Sequence, residues 1–210
     1  MAHATPAASI TKEGTLEADG VRLRYAEAGS GEPLVVFGSG DGELFDPLLI
    51  KLAGHTRVIA LEKNTGGAAV DNLAAKVSRG LVRLGVERHS VMGIAGGAAI
   101  ALAQAIAAPA RIDKLILLSP EWRQSAEPAI DLAQVKAPTL VIAGTEDNSG
   151  SVEAGRLCRE RIHSCHLLLV YDAGHAVARD RLEACARAIA DFLEQGEMFA
   201  VSRESQMIRP

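Results

Sequence analysis

Two side chains suited to acid–base chemistry each follow an apolar run in the second half of the sequence. Asp147 comes soon after the run 138–143, and His175 comes soon after the run 166–171. A histidine can take up or release a proton near neutral pH, and an aspartate that accepts a hydrogen bond from the ring can hold it in one orientation. Taken singly, each residue also fits a structural role, Asp147 as a loop or helix-capping residue and His175 as a neighbour of a helix N-cap.

A glycine-bracketed turn follows another apolar run, at 89–94. It reads Gly93-Ile94-Ala95-Gly96-Gly97, and an alanine-rich stretch with a helical pattern, 98–108, begins at once. A strand, a tight Gly-x-Ser-x-Gly turn and a helix form a nucleophile elbow, in which the turn presents a serine hydroxyl. Here the central residue is Ala95, which has no hydroxyl. Taken alone, the stretch fits an ordinary glycine-rich turn equally well.

Short apolar runs alternate with helical patterns along the rest of the chain. Strand candidates at 14–18 and 21–28 flank Asp19-Gly20, a strong hairpin signal. Short apolar strands between helices are buried on both faces, which predicts a doubly wound, mostly parallel sheet of the α/β class, with an antiparallel N-terminal hairpin and helices on both faces. Further strands are predicted at 33–37, 56–61, 89–94, 112–118, 138–143 and 166–171, and helices at 44–53, 71–84, 98–108, 152–161 and 179–194.

The 210 residues are enough for one sizeable core. We therefore predict a flexible N-terminus over 1–12, a single domain over 13–195 and a C-terminal tail over 196–210.

Ligands bind at the carboxyl ends of the strands in doubly wound sheets. Ala95, Asp147 and His175 all fall there, which makes this edge the candidate site.

These residues occur in the order nucleophile position, acid and histidine, and in this the sequence resembles the α/β-hydrolase superfamily. The resemblance covers about 14–195 and rests on the hairpin, the Phe37-Gly38-Ser39-Gly40 loop, the Gly-rich turn, Gly144-x-x-Asp147 and Gly174-His175. It implies an α/β-hydrolase-type sheet, with His175 as the general base and Asp147 as its orienting carboxylate. It also implies that the backbone N–H groups of Gly96 and Ser39 form an oxyanion hole.

The sequence departs from the family pattern at several places. Phe37 stands where many members have a histidine, and residues 62–67 stand where many have an Asp-x-x-Gly-x-Gly turn. Only 119–138 lies where capped members insert a helical lid, so we expect a lidless or minimal-lid member. Its pocket is expected to be shallow or covered by a partner in a homo-oligomer. The residues expected near the pocket are Gly38, Glu43, Glu62, Lys63 and Trp122.

Three explanations of Ala95 remain open from the sequence. The chain could be a serine hydrolase whose nucleophile has been substituted by alanine. Alternatively, His175 and Asp147 could work without a covalent step, by taking a proton from a substrate or from water. The third explanation is a non-catalytic, ligand-binding member of the fold. For the catalytic explanations we expect a small-molecule ester, thioester or lactone as the substrate.

The composition excludes several other classes of function. Hydrophobic residues make up 48% and charged residues 23%, as in a soluble globular domain, and a net charge of −4 argues against nucleic acid or an anionic membrane as a partner. We expect a cytoplasmic protein, since the N-terminus lacks the pattern of a signal peptide and the three cysteines form no disulfide framework. We expect no cofactor, because residues 38–42 lack the dinucleotide-loop spacing. We expect no metal site, because the side chains of Cys165 and His166, which lie next to each other in a predicted strand, point to opposite faces.

Overall fold

The computed structural model of the chain describes residues 10–38, 44–62, 70–121, 131–199 and 207–208. Within these residues, nine strands form one sheet and six α-helices pack on it. The strands are β1 Ile10–Ala18, β2 Val21–Ala28, β3 Pro33–Phe37, β4 Arg57–Leu61, β5 His89–Ile94, β6 Ile112–Leu118, β7 Thr139–Gly144, β8 Cys165–Val170 and β9 Met207–Ile208. The helices are α1 Pro47–Leu52, α2 Val70–Arg83, α3 Ala98–Ala107, α4 Ser151–Arg161, α5 Val177–Asp180 and α6 Leu182–Gln195.

The strand order in the sheet is β1-β2-β4-β3-β5-β6-β7-β8-β9. The hairpin β1–β2 and the pair β2–β4 are antiparallel, and the remaining neighbours are parallel. This confirms the predicted doubly wound, mostly parallel sheet with its antiparallel N-terminal hairpin. The order brings β5, β6, β7 and β8 together, so the segments that follow them meet at one edge of the sheet.

The sheet separates two apolar cores, because successive side chains of a strand point to opposite faces. Val35 and Val91 belong to one core, which they share with buried residues of α2, α3 and α4. Their chain neighbours Val36 and Met92 belong to the other, which they share with α1, α5 and α6. All four side chains are fully buried, and each such burial stabilises the fold by about 1.5–3 kcal/mol. Helices therefore cover both faces, as the sequence predicts.

The observed boundaries differ from the predicted ones at both ends of the chain. β1 begins at Ile10, inside the segment assigned to a flexible N-terminus, because Ile10 still pairs with Ala28 of β2. The last predicted helix is divided into α5 and α6 at Arg181, whose φ of −137° and ψ of 56° are not helical. β9, in the predicted tail, pairs with β8. None of the helices in the described ranges has both the length and the apolar composition needed to cross a membrane.

Candidate functional site

The loops after β7 and β8 are tied to each other by backbone hydrogen bonds. The Thr145 N–H donates to the Val170 carbonyl at 2.9 Å, and the Glu146 N–H donates to the Ala173 carbonyl at 2.9 Å. Gly144 permits this approach, since a Cβ there would overlap the carbonyl oxygen of Ala173. The two loops therefore hold the residues that they carry, Asp147 and His175, at a fixed separation.

The structure brings Asp147 and His175 into direct contact. The distance from His175 Nδ1 to Asp147 Oδ2 is 2.9 Å. Because a carboxylate can only accept, Nδ1 carries the proton in this hydrogen bond. The Asp147 side chain is 1% exposed and the His175 side chain 41% exposed, so a buried acid supports a ring that reaches solvent.

Asp147 is held in its ionised form by its hydrogen bonds. Burial raises the pKa of its carboxyl group, but hydrogen bonds from Ser151, Ser149 and His175 outweigh burial and leave the pKa below the ordinary value. The Ser151 hydroxyl donates to Oδ2 at 2.6 Å, and the Ser149 N–H donates to Oδ1 at 2.8 Å. The Ser149 hydroxyl also lies 3.2 Å from His175 Nδ1. These contacts fix the carboxylate, which in turn fixes the ring.

The other ring nitrogen contacts a residue that the sequence did not single out. His175 Nε2 lies 3.1 Å from Glu121 Oε1, whose side chain is 47% exposed. A ring between two ionised carboxylates donates to both only when both of its nitrogens are protonated. A hydrogen bond from Nε2 to the Glu121 carboxylate requires a proton on Nε2, so the neutral ring that a general base requires would not hold Glu121 in this place. In the sequence, the feature that could have indicated Glu121 as a site residue is its position just after a predicted strand.

Ala95 occupies the strand-to-helix turn between β5 and α3. Its φ is 49°, in the left-handed region that residues with a Cβ atom rarely adopt. Gly97 allows α3 to start against β3, because a Cβ there would overlap the carbonyl oxygen of Phe37. The strained turn predicted for residue 95 is confirmed, and the alanine is 7% exposed.

A pocket of about 540 Å³ lies at this edge of the sheet. Ala95, Gly96, Ser119, Glu121 and His175 line it together with apolar side chains. The apolar lining residues include Leu48, Ile94, Leu118, Val177 and Leu182. Pockets for small molecules typically measure about 300–1,000 Å³, so the volume is sufficient for a small organic ligand.

Other candidate residues are not brought to the pocket wall. Glu62 directly follows β4, and β3 separates that strand from β5 in the sheet, so Glu62 is not among the described residues that line the pocket. Gly38 directly follows β3 and is not among them either. Four further candidates lie outside the described residues, namely Ser39, Glu43, Lys63 and Trp122.

Solved structures of hydrolases share this architecture. A hydrolase from Pseudomonas aeruginosa PA01 superposes with a TM-score of 0.75 at 21% identity, covering 88% of this chain and 99% of that one. A predicted CIB-like hydrolase from Thermoplasma acidophilum gives 0.71 at 19% identity, covering 89% and 98%. The meta-cleavage product hydrolase of Pseudomonas fluorescens IP01 gives 0.73 at 18% identity, covering 88% and 98%. The family model Abhydrolase_4, described as TAP-like protein, matches residues 115–204.

The chain has the α/β-hydrolase fold.

A curated relative matches part of this chain. The dihydrolipoyllysine-residue acetyltransferase component of the acetoin cleaving system of Cupriavidus necator is 31% identical over an alignment of 136 residues, which covers 57% of this chain. The matched part spans 36% of that relative's length. Among the described residues, no group of three His, Cys, Asp or Glu side chains could hold a metal ion.

Proposed function

We propose that this chain hydrolyses small-molecule esters, thioesters or lactones, with His175 as the general base. The observation that carries the proposal is the 2.9 Å contact between His175 and a buried Asp147, in a pocket that the strained turn at Ala95 also lines. Asp147 orients the ring and stabilises the imidazolium that forms when His175 takes a proton. The apolar pocket wall suits the acyl or alkyl part of such a substrate.

Ala95 limits how this chemistry can proceed. A methyl group cannot attack a carbonyl carbon, so the attacking oxygen comes from another group, and no covalent intermediate forms at residue 95. His175 Nε2 must also be free, so a substrate would displace the half-exposed Glu121 side chain.

The negative charge that develops on the carbonyl oxygen needs hydrogen-bond donors. Gly96 lies in the pocket wall. It is two residues before Ala98, the first residue of α3, and Gly97 lies between them. The N–H groups at the start of a helix lack partners within the helix and carry partial positive charge. We propose the Gly96 N–H as one donor of an oxyanion hole, with Ser39 as its proposed partner.

Two observations favour a second candidate function. In the structure Glu121 occupies the nitrogen that a base would use, and residue 95 has no hydroxyl. Both fit a non-catalytic protein that binds a small ligand in this pocket, with the His175 ring held in a structural role between two carboxyl groups. In that case the His175–Asp147 pair has no role in any reaction.

A panel of activated substrates separates the two functions. The purified chain should turn over at least one of a nitrophenyl ester, a thioester and a lactone above the buffer rate, and His175→Ala should abolish most of this turnover. His55→Ala is the matched control, since His55 is exposed and lies outside the pocket wall. Binding of substrate analogues without any turnover, unchanged by His175→Ala, would favour the ligand-binding function.

A further inference from the structure

Ser119, the first residue after β6, is a buried serine in an unusual backbone conformation. Its φ is 43°, in the left-handed region, and the residue is 2% exposed. Its N–H donates to the Ile142 carbonyl at 2.8 Å, which fixes the backbone. Its hydroxyl has no hydrogen-bond partner among the residues that the structure describes. Buried hydroxyl groups in proteins nearly always have a partner, so the lack of one here calls for an explanation.

Ser119 and Ala95 hold equivalent positions, each directly after one of two neighbouring strands. Ile94 of β5 pairs with Leu118 of β6 in parallel register, and Ala95 and Ser119 directly follow these two residues. Paired strands lie about 4.8 Å apart. Both residues have a left-handed φ, and both line the same pocket. A hydroxyl is thus present one strand away from the turn that lacks one.

The ring of His175 lies close to the segment that follows β6. His175 Nε2, the nitrogen that faces away from Asp147, lies 3.1 Å from Glu121, which is two residues after Ser119. The side chain of Glu121, three residues beyond the end of β6, therefore lies within hydrogen-bond distance of the nitrogen that would accept a proton. Because the Glu121 side chain is about half exposed, it can turn towards solvent while giving up only part of its contacts.

We propose that Ser119 supplies the nucleophilic hydroxyl that residue 95 lacks, and that it acts with His175 and Asp147. This inference rests on the proposed ester hydrolysis and names its nucleophile. Ser119 Oγ forms a bond to the ester carbonyl carbon and its proton passes to His175 Nε2. The C–O bond to the alcohol then breaks, the alcohol takes that proton, and an acyl group remains on Ser119.

Water completes the reaction without any further reactant. His175 takes a proton from a water molecule, whose oxygen bonds to the acyl carbon. The bond between that carbon and Ser119 Oγ then breaks, the proton returns to Ser119, and the carboxylic acid leaves. Throughout the cycle Asp147 holds the ring and stabilises its cationic form.

A fluorophosphonate probe tests this directly, since it forms a stable adduct with an activated serine hydroxyl. After labelling and trypsin digestion, mass spectrometry should find the adduct on the peptide 115–123, in which Ser119 is the only hydroxyl-bearing residue. Labelling should disappear in His175→Ala and persist in Ser90→Ala, whose buried serine lies in β5 and not in the pocket wall.

The decisive variant is Ser119→Gly. Glycine adopts a left-handed φ without strain. This variant should therefore fold, and its unfolding temperature should be no lower than that of Ser119→Ala. It should nevertheless lose the adduct and most of the ester hydrolysis, on the order of a thousandfold or more, as expected for a lost nucleophile. Circular dichroism checks that the fold is retained.

The outcomes separate this inference from the function on which it rests. If Ser119→Gly keeps the wild-type rate while His175→Ala loses it, the attacking oxygen belongs to water, and the inference is wrong although the proposed function stands. No adduct on 115–123 in the wild-type chain also overturns the inference. An ester-hydrolysis rate that does not depend on His175 contradicts the proposed function itself.

Discussion

Ala95 has a strained, left-handed backbone conformation, although its methyl side chain cannot take part in a reaction. A left-handed φ costs a residue with a Cβ atom about 1–2 kcal/mol, and such strain persists where the surrounding structure enforces it. At residue 95 the enforcing contacts are those of α3 with β5 and β3. The turn therefore keeps the shape that presents a side chain to the pocket, although the side chain is a methyl group.

Restoring a hydroxyl at this turn should create or increase hydrolase activity. In Ala95→Ser the hydroxyl would enter the pocket that His175 and Gly96 line. We expect faster turnover of a nitrophenyl ester than in the wild-type chain, and a new fluorophosphonate adduct on residue 95. Steady-state kinetics and peptide mass spectrometry measure these two results. A folded Ala95→Ser chain with neither change would indicate that the pocket no longer admits a substrate to this turn.

At the scale of elements, the start of α3 depends on two glycines. A Cβ on Gly93 would come within 2.5 Å of the Ala98 Cα atom, and a Cβ on Gly97 would overlap the Phe37 carbonyl oxygen. In both cases the obstacle is backbone, which cannot move aside as the end of a flexible side chain can. The glycines therefore set the distance between the helix and the sheet, and with it the position of residues 95 and 96.

Gly97→Ala should destabilise the fold strongly. We expect a loss of about 2–4 kcal/mol in the free energy of unfolding, because α3 must shift away from β3. Chemical denaturation measures this loss. Gly38→Ala is the matched control, since its Cβ position meets none of the described residues within 4 Å. Equal stability of the two variants would contradict this account of the turn.

The elements themselves follow closely from sequence patterns. β5 and β6 have the predicted boundaries, since both are apolar runs between clear turn signals. The break at Arg181 could not be predicted, because the apolar periodicity continues through it. Asp147 and His175 could be predicted from their order and loop positions. The roles of Ser119 and Glu121 could not, because they depend on which strands are neighbours and on where one side chain reaches.

At the scale of the whole molecule, the stability of the fold should depend on a histidine far from the pocket wall. His89 opens β5, is 1% exposed, and neither ring nitrogen has a hydrogen-bond partner among the described residues. Burial lowers the pKa of its ring to about 4, and interaction with Gln104 offsets only part of this. The folded protein therefore holds the ring in its neutral form.

The sign of the resulting pH dependence follows from this lowered pKa. The unfolded chain binds a proton at His89 below about pH 6.5, whereas the folded chain binds this proton only below about pH 4. The free energy of unfolding should fall by about 3 kcal/mol as the pH is lowered through this window, since one pKa unit is worth about 1.4 kcal/mol. The stabilisation by ionised Asp147 is lost only at lower pH, because its pKa lies below the ordinary value.

Urea denaturation at several pH values tests this dependence. His89→Gln, which cannot be protonated, should remove most of the fall between pH 6.5 and 4. His55→Gln should leave it intact, since His55 is exposed. If both variants kept the wild-type slope, groups other than His89 would be responsible for the acid sensitivity.

The most direct test of the central claim, that His175 and Asp147 act as one catalytic unit, is a double-mutant cycle on kcat/KM for an activated ester. His175→Ala should lower kcat/KM by about a hundred- to ten-thousandfold, the usual contribution of a general base. Asp147→Asn should cost a similar or smaller factor. Because Asp147 acts only through the ring, the double variant should be no slower than His175→Ala alone. A double variant whose loss equals the product of the two single losses, or a His175→Ala chain as fast as the wild type, would contradict the claim.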